Sequence, residues 1–292
     1  MTRIINVPTN VNDRSFEEIL EQTSPLPPDE KILIDCRRCT FATPYSLTAL
    51  LSLGQTRLVK PALLVPDDPK ISSYWARADF FTHGEEFFEF DKHVPRPRTK
   101  STSVVLECTP ITKSDDVHGV VDKISERAHE ILVETLHFSP QITSRFTMAL
   151  SEVCQNILEH AGRGGWVAVQ KYDPKNKRRN VILAVCDVGI GFRQSLEGSH
   201  GRRLSDRWDD AAALEDTVMR GVSRFPDKGR GQGLQGVKKF IGQNDGKFSV
   251  RSGTARIALV PPWDEDEALI RDLPFFPGAQ LQLTIPERIV TP

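Results

Sequence analysis

Between positions 91 and 103 the chain runs DKHVPRPRTKSTS, a stretch rich in Pro, basic and Ser/Thr residues with no apolar periodicity. No other feature constrains the fold as much, because it predicts a linker or exposed loop and the order of elements changes across it. Before it, RIINV and KILIDC have the composition of strands, and SFEEILEQ lies between them with helical spacing. PYSLTALLSLG opens with Pro and closes with Gly, as a helix does. PALLVP is a third strand, and a weaker helical pattern follows near positions 69 to 80. Strand–helix–strand alternation predicts an α/β sheet domain.

After it, VVLEC has strand character, and SDDVHGVVDKISERAHEILVETL carries apolar residues at helical intervals behind a Ser/Asp cap. SPQITSRFTMALSEVCQNILEHAG predicts a second helix, capped by Ser139, with Pro140 in its first turn and Gly162 as its stop. GWVAVQKY and NVILAVCD flank the polar turn DPKNKRR, which predicts a hairpin. A long polar, Gly-containing stretch covers 192 to 228, one more helix follows, and KFSVRSG, ARIALV and AQLQLTIP close the chain as strands. The second half is therefore expected to be α+β, with helices over an antiparallel or mixed sheet. The expected boundaries are 1–92, a linker at 93–104, and 105–292.

The chain has 292 residues, enough for one large domain or two ordinary ones. Lys and Arg total 38 against 39 Asp and Glu, so the formal net charge is -1 and no global excess points to nucleic acid or a membrane. No apolar run approaches the ~20 residues of a membrane helix. The opening MTRIINVPTNVNDRSF lacks the basic-then-apolar layout of a secretion signal, and a cytoplasmic location is expected. Of five cysteines, Cys36 and Cys39 form a lone CxxC, half a zinc site with no second pair, so ordinary reduced thiols are expected.

DKGRGQGLQGVKKF, positions 227 to 240, is dense in glycine, which lets a backbone bend and approach a phosphate. A P-loop needs Gly-Lys-Ser/Thr, and no such triplet occurs. Gly231, Gly233 and Gly236 spell GxGxxG, but the dinucleotide design needs a strand directly before the loop, and TVMRGVSRFPDK has a helical pattern ending in a turn. A third design spreads its site over several segments. SEVCQNILEH puts Glu152 and Asn156 on one helix face, continued by His160, amid apolar Val153, Ile157 and Leu158. Polar groups interrupting such a face are costly unless something binds them. In CDVGIGF, Asp187 ends an apolar strand and Gly189 and Gly191 follow; GRGQGL comes last.

In order and spacing, ExxxN, DxGxG and GxGxGL resemble the N, G1 and G2 boxes of the GHKL superfamily of ATPases, over about positions 105 to 292. Within it, SEVCQNILEHAG is most similar to the anti-sigma-factor kinases. The resemblance implies ATP and Mg²⁺ as ligands. Asp187 would accept a hydrogen bond from the adenine amino group, with Gly189 and Gly191 passing under the base. Asn156 would hold Mg²⁺ through its side-chain oxygen. Gly229, Gly231 and Gly233 would hinge a lid over the phosphates, with Leu234 completing the box and the next helix pointing its amides at them. Lys228 and Arg230 would add positive charge, and His160 would face the phosphates. Glu152 would be the general base. The family's last strand opens with Gly-Thr; here it opens with Gly278-Ala279, without that hydroxyl.

The first part resembles the strand–loop–helix centre of STAS domains through ILIDCRRCTFATPYSLTALLSLG. In place of the usual Asp-Ser-Ser-Gly stand Thr43, Pro44, Tyr45 and Ser46, which favours a docking role over a phosphate acceptor. His118 and His129 lie inside the first long helix of the second part, not on a separate hairpin, which argues against a histidine acceptor. Two function classes stay open: an ATPase or Ser/Thr protein kinase in a regulatory switch, and an ATP-gated interaction module with little or no turnover. A protein partner is expected and a homodimer is compatible. No membrane partner is expected, and nucleic acid is a distant third.

Overall fold

The computed structural model describes residues 2–95, 104–128, 133, 136–160, 164–173, 178–200, 208–222 and 233–288. Its first part alternates strand and helix. In order come β1 (Arg3–Asn6), β2 (Asn10–Val11), α1 (Glu17–Thr23), β3 (Ile32–Asp35), β4 (Phe41–Ala42), α2 (Pro44–Gln55), β5 (Ala62–Leu64), α3 (Pro69–Arg77), α4 (Phe80–Gly84) and β6 (Glu89–Phe90). β1, β3, β5 and β6 pair in that order, each pair parallel, as crossovers through helices allow. The helix expected near 69 to 80 divides in two because Asp79 sits at φ 55°, in the left-handed region.

α2 explains how the two halves meet. Thr43 caps it, its hydroxyl accepting from the Ser46 amide, and Pro44 fits the first turn, where no amide is needed. Every residue from Pro44 to Gly54 is buried. A helix apolar or small on all sides must be covered on all sides. One side of α2 meets its own sheet's core, and the other lies on strands of the second half.

That half comprises β7 (Val104–Ile111), α5 (Ser114–Ala128), α6 (Pro140–His160), β8 (Gly165–Tyr172), β9 (Asn180–Asp187), α7 (Gly191–His200), α8 (Asp210–Leu214), α9 (Gly233–Gly242), β10 (Lys247–Gly253), β11 (Ala255–Leu259), β12 (Leu269–Ile270) and β13 (Phe276–Pro286). A π turn, Glu215–Met219, prolongs α8. The long polar stretch from 192 to 228 holds most of α7 and all of α8. The seven strands form one sheet in the order β12-β11-β10-β13-β9-β8-β7, with every neighbouring pair antiparallel.

Successive side chains on a strand point to opposite faces. Val167, Val185, Leu183, Leu281 and Ile285 join Val153, Cys154, Val237 and Ile241 in a core beneath α5, α6 and α9. Trp166, Ala168, Ala184, Cys186 and Phe276 face the other way, into the core shared with α2. Coverage on both faces is why β8 and β9 are nearly continuous apolar runs. Towards the β10–β11 edge that second face turns charged. Lys247 and Arg256 share Asp266, at 2.7 and 2.6 Å, and Arg256 also reaches Asp13 of the first half, at 3.4 Å. Burial opposes ionisation of Asp266, yet the bonds from Arg256 and Lys247 hold its pKa down at about 2.

Candidate functional site

β9 ends at Asp187, on the helix-covered face with Leu183 and Val185. Its side chain is 8% exposed. Oδ1 accepts from the Gly189 amide at 2.8 Å and the Ala279 amide at 3.4 Å. Among the described residues Oδ2 accepts no hydrogen bond, and no cation faces the group. Burial pushes the carboxyl pKa up to about 7, and the two amides only partly offset that.

The loop after Asp187 is tightly enclosed. Gly278 has φ +79°, and a Cβ there would lie 2.3 Å from the Asp187 carbonyl oxygen and 2.5 Å from Oδ1. Gly191 has φ +70°, and its Cβ would lie 2.7 Å from Ser252 Oγ. Both positions therefore need glycine for conformation as well as space. The Ser252 hydroxyl donates to the Gly278 carbonyl (2.7 Å) and accepts from the Phe192 amide (3.2 Å). The Gln280 side-chain amide donates to the Asp187 carbonyl (3.0 Å) and the Pro277 carbonyl (2.8 Å).

A cavity of about 1010 Å³ opens on this loop, with Thr56 of the first half, Gly189, Ile190, Gly191, Phe275 and Gly278 in its wall. Phe275 and Ile190 are 60% and 42% exposed, so its mouth is apolar. Arg193 and Glu197 also line it and pair with each other at 3.0 Å. Among the described residues, Asp187, Asn156 and Leu234 are not part of that wall; Asp187 stands directly behind it, against Gly278.

The other residues singled out in the sequence fall as follows. Asn156 lies on α6 and is partly exposed. Glu152 and His160 belong to the same helix, with side chains outside the described residues. Gly233 opens α9, and Leu234 is 6% exposed in the helix-side core, where α9 packs on α6. Lys228, Gly229, Arg230 and Gly231 lie outside the described residues. Gln280 and Ser252 were not singled out from the sequence; the one signal for Gln280 is a glutamine in the apolar alternation of AQLQLTIP.

Among the described residues no group of three or more His, Cys, Asp and Glu could hold a metal ion, and no helix is long and apolar enough to cross a membrane. Cys36 and Cys39 are free and buried. Thr43 and Ser46 are 3% and 0% exposed, and the Ser46 hydroxyl donates to the Val11 carbonyl at 2.6 Å.

No family model matches the chain, and no curated protein matches it. Among solved structures, a mycobacterial sensor histidine kinase, MprB, matches with a TM-score of 0.30 and 17% identity, covering 58% of this chain and 95% of that one.

Proposed function

We propose that residues 105–292 form a GHKL-type Mg·ATP-binding domain and residues 1–92 a STAS-like regulatory unit, and that the chain acts in the cytoplasm as an ATP-dependent signalling switch on a protein partner. The observation that carries this reading is Asp187. A buried carboxylate without a cation is costly. One of its oxygens is held by two backbone amides and, among the described residues, the other accepts nothing, which suits a ligand N–H donor such as the adenine amino group. The surrounding glycines bring backbone, not side chains, up to that position. Asn156, partly exposed on α6, offers the hard oxygen that Mg²⁺ prefers. When bound, Mg·ATP supplies an activated phosphoryl group whose transfer needs mainly positioning and charge neutralisation. Glu152, one helical turn before Asn156, is assigned as the base that takes a proton from the attacking hydroxyl.

Thr43 and Ser46, at the STAS-like acceptor positions, are buried and hydrogen-bonded, so neither is the acceptor in this reading, and transfer is assigned to water or to a hydroxyl on another protein. The experiment is radiolabelled ATP with purified protein, resolving free phosphate, phosphoprotein and bound unchanged ATP. Glu152→Ala should abolish turnover and spare binding. An absence of ATP binding by the wild-type chain would refute the proposal. Binding without any turnover would leave the second reading, an ATP-gated interaction module.

A further inference from the structure

The loop that carries Asp187 is held by two buried polar side chains, Gln280 from the face opposite Asp187 and Ser252 from the cavity wall. Gln280 is 0% exposed and lies on β13, between the strand position of Leu281 and the Gly278 turn. Its nitrogen holds two carbonyls at once, those of Asp187 and Pro277. Ser252, 3% exposed on β10, does the matching work at the far end of the loop by joining the Gly278 carbonyl to the Phe192 amide. Every one of these bonds ends on backbone, so together they fix where the loop runs. That matters because, among the described residues, the alignment of Asp187 depends on backbone: its Oδ1 is oriented by the amides of Gly189 and Ala279, and Ala279 has no hydroxyl to help.

We propose that Gln280 and Ser252 are positioning residues for the ligand site at Asp187, stapling the loop from Asp187 to Phe192 against the Gly278 turn. The proposal rests on the nucleotide-binding reading above. Gln280 stands outside the cavity wall and Ser252 within it; each acts through the main chain that presents Asp187 and the glycines. The staple lies on the sheet where the first half docks: Gln280 pairs in register with Cys186, whose sulfur is 3.2 Å from the Thr48 hydroxyl of α2. The charged groups nearby are already engaged, Arg251 by Glu17 and Arg193 by Glu197. The Cys186 thiol is pushed up to about 12 by burial.

Two measurements on the full chain test this. One is Mg·ATP affinity by calorimetry, and the other is the titration of the Asp187 carboxyl by NMR without ligand. Gln280→Met keeps length and volume but has no N–H. It should weaken affinity by about tenfold, the scale of one or two lost hydrogen bonds. It should also raise the Asp187 titration midpoint, because misplaced amides no longer favour the charged form. Gln280→Glu, which turns an oxygen towards both carbonyls, should be worse. Ser252→Ala should move both readouts in the same direction and provides the test if Gln280 variants fail to fold. An unchanged Asp187 midpoint in Gln280→Met and Ser252→Ala, even with a lower melting temperature, would reduce both residues to packing and overturn the proposal. A shifted midpoint in a wild-type background that binds no Mg·ATP would instead overturn the nucleotide reading and leave the staple standing.

Discussion

Glu17 and Arg251 form a two-pronged ion pair across the junction of the two halves, Nε to Oε1 at 2.8 Å and the terminal nitrogen to Oε2 at 3.1 Å. Arg251 is fully buried on β10 and Glu17 opens α1. Planar guanidinium and carboxylate groups match in this geometry, which adds direction as well as attraction. With Asp13 reaching Arg256 and Lys247 nearby, the first half supplies counter-charges to cations that the sheet has taken out of water. The first half is therefore built into the sheet's second face, not tethered beside it.

Glu17→Ala should cost about 3 kcal/mol, because it leaves a buried guanidinium without its carboxylate. The Gly253 and Pro274 carbonyls still accept from Arg251 and limit the loss. Glu17→Gln, which keeps a hydrogen-bonding oxygen, should cost less. Urea denaturation of the three proteins decides it: a loss below about 1 kcal/mol would show that the pair contributes little beyond its desolvation cost.

Deleting residues 1–95 should prevent the remainder from folding as a stable monomer. The deletion would uncover Trp166, Cys186 and Phe276, and would strip Asp13 and Glu17 from Arg256 and Arg251. Exposed apolar patches of this kind drive association. Size-exclusion chromatography and thermal melting of the fragment test it, and a monomer that melts cooperatively near the full chain's temperature would contradict it.

Gly278→Ala should destabilise the protein by at least about 2 kcal/mol, from a left-handed backbone conformation plus collision with the Asp187 carbonyl oxygen. It should also weaken nucleotide binding more than its stability loss explains, since the same collision displaces Asp187. Calorimetry with Mg·ATP at a temperature where the variant is fully folded separates the two effects.

Much of the element pattern is legible from local rules. α6 begins at Pro140, as the Ser-Pro start predicts, and the β8–β9 hairpin pairs around its polar turn. Asp187 and its glycines stand out because a carboxylate ending an apolar strand is anomalous. α7 is hidden for the opposite reason: Leu196 is the main buried apolar anchor of a polar, glycine-flanked segment, so no periodicity marks it. The pairing of Glu17 with Arg251 leaves no local trace, because residues that far apart share no spacing rule. α2 is legible from its Pro start and Gly stop, but its burial on every side depends on strands distant in the chain and leaves no such local mark.

Asp187→Asn should make the ligand-free protein more stable at high pH while weakening its hold on Mg·ATP. The folded carboxyl titrates at about 7, against an ordinary value of 3.8. Between those values the folded state binds the proton more tightly than the unfolded state does. This group's contribution therefore falls as pH rises from about 4 to 7 and is level above that, by an amount on the order of a few kcal/mol. Asparagine does not titrate, so the stability of Asp187→Asn relative to wild type should grow from pH 5 to pH 8. Ligand binding should run the other way: the free carboxylate oxygen is the better acceptor, so wild-type affinity should rise through pH 7, and the variant's should be lower and flat. Urea denaturation at both pH values, with calorimetry alongside, measures both trends. An identical stability difference at pH 5 and pH 8 would mean that Asp187 does not titrate in this range, and would remove the cost on which its assignment to a ligand is argued.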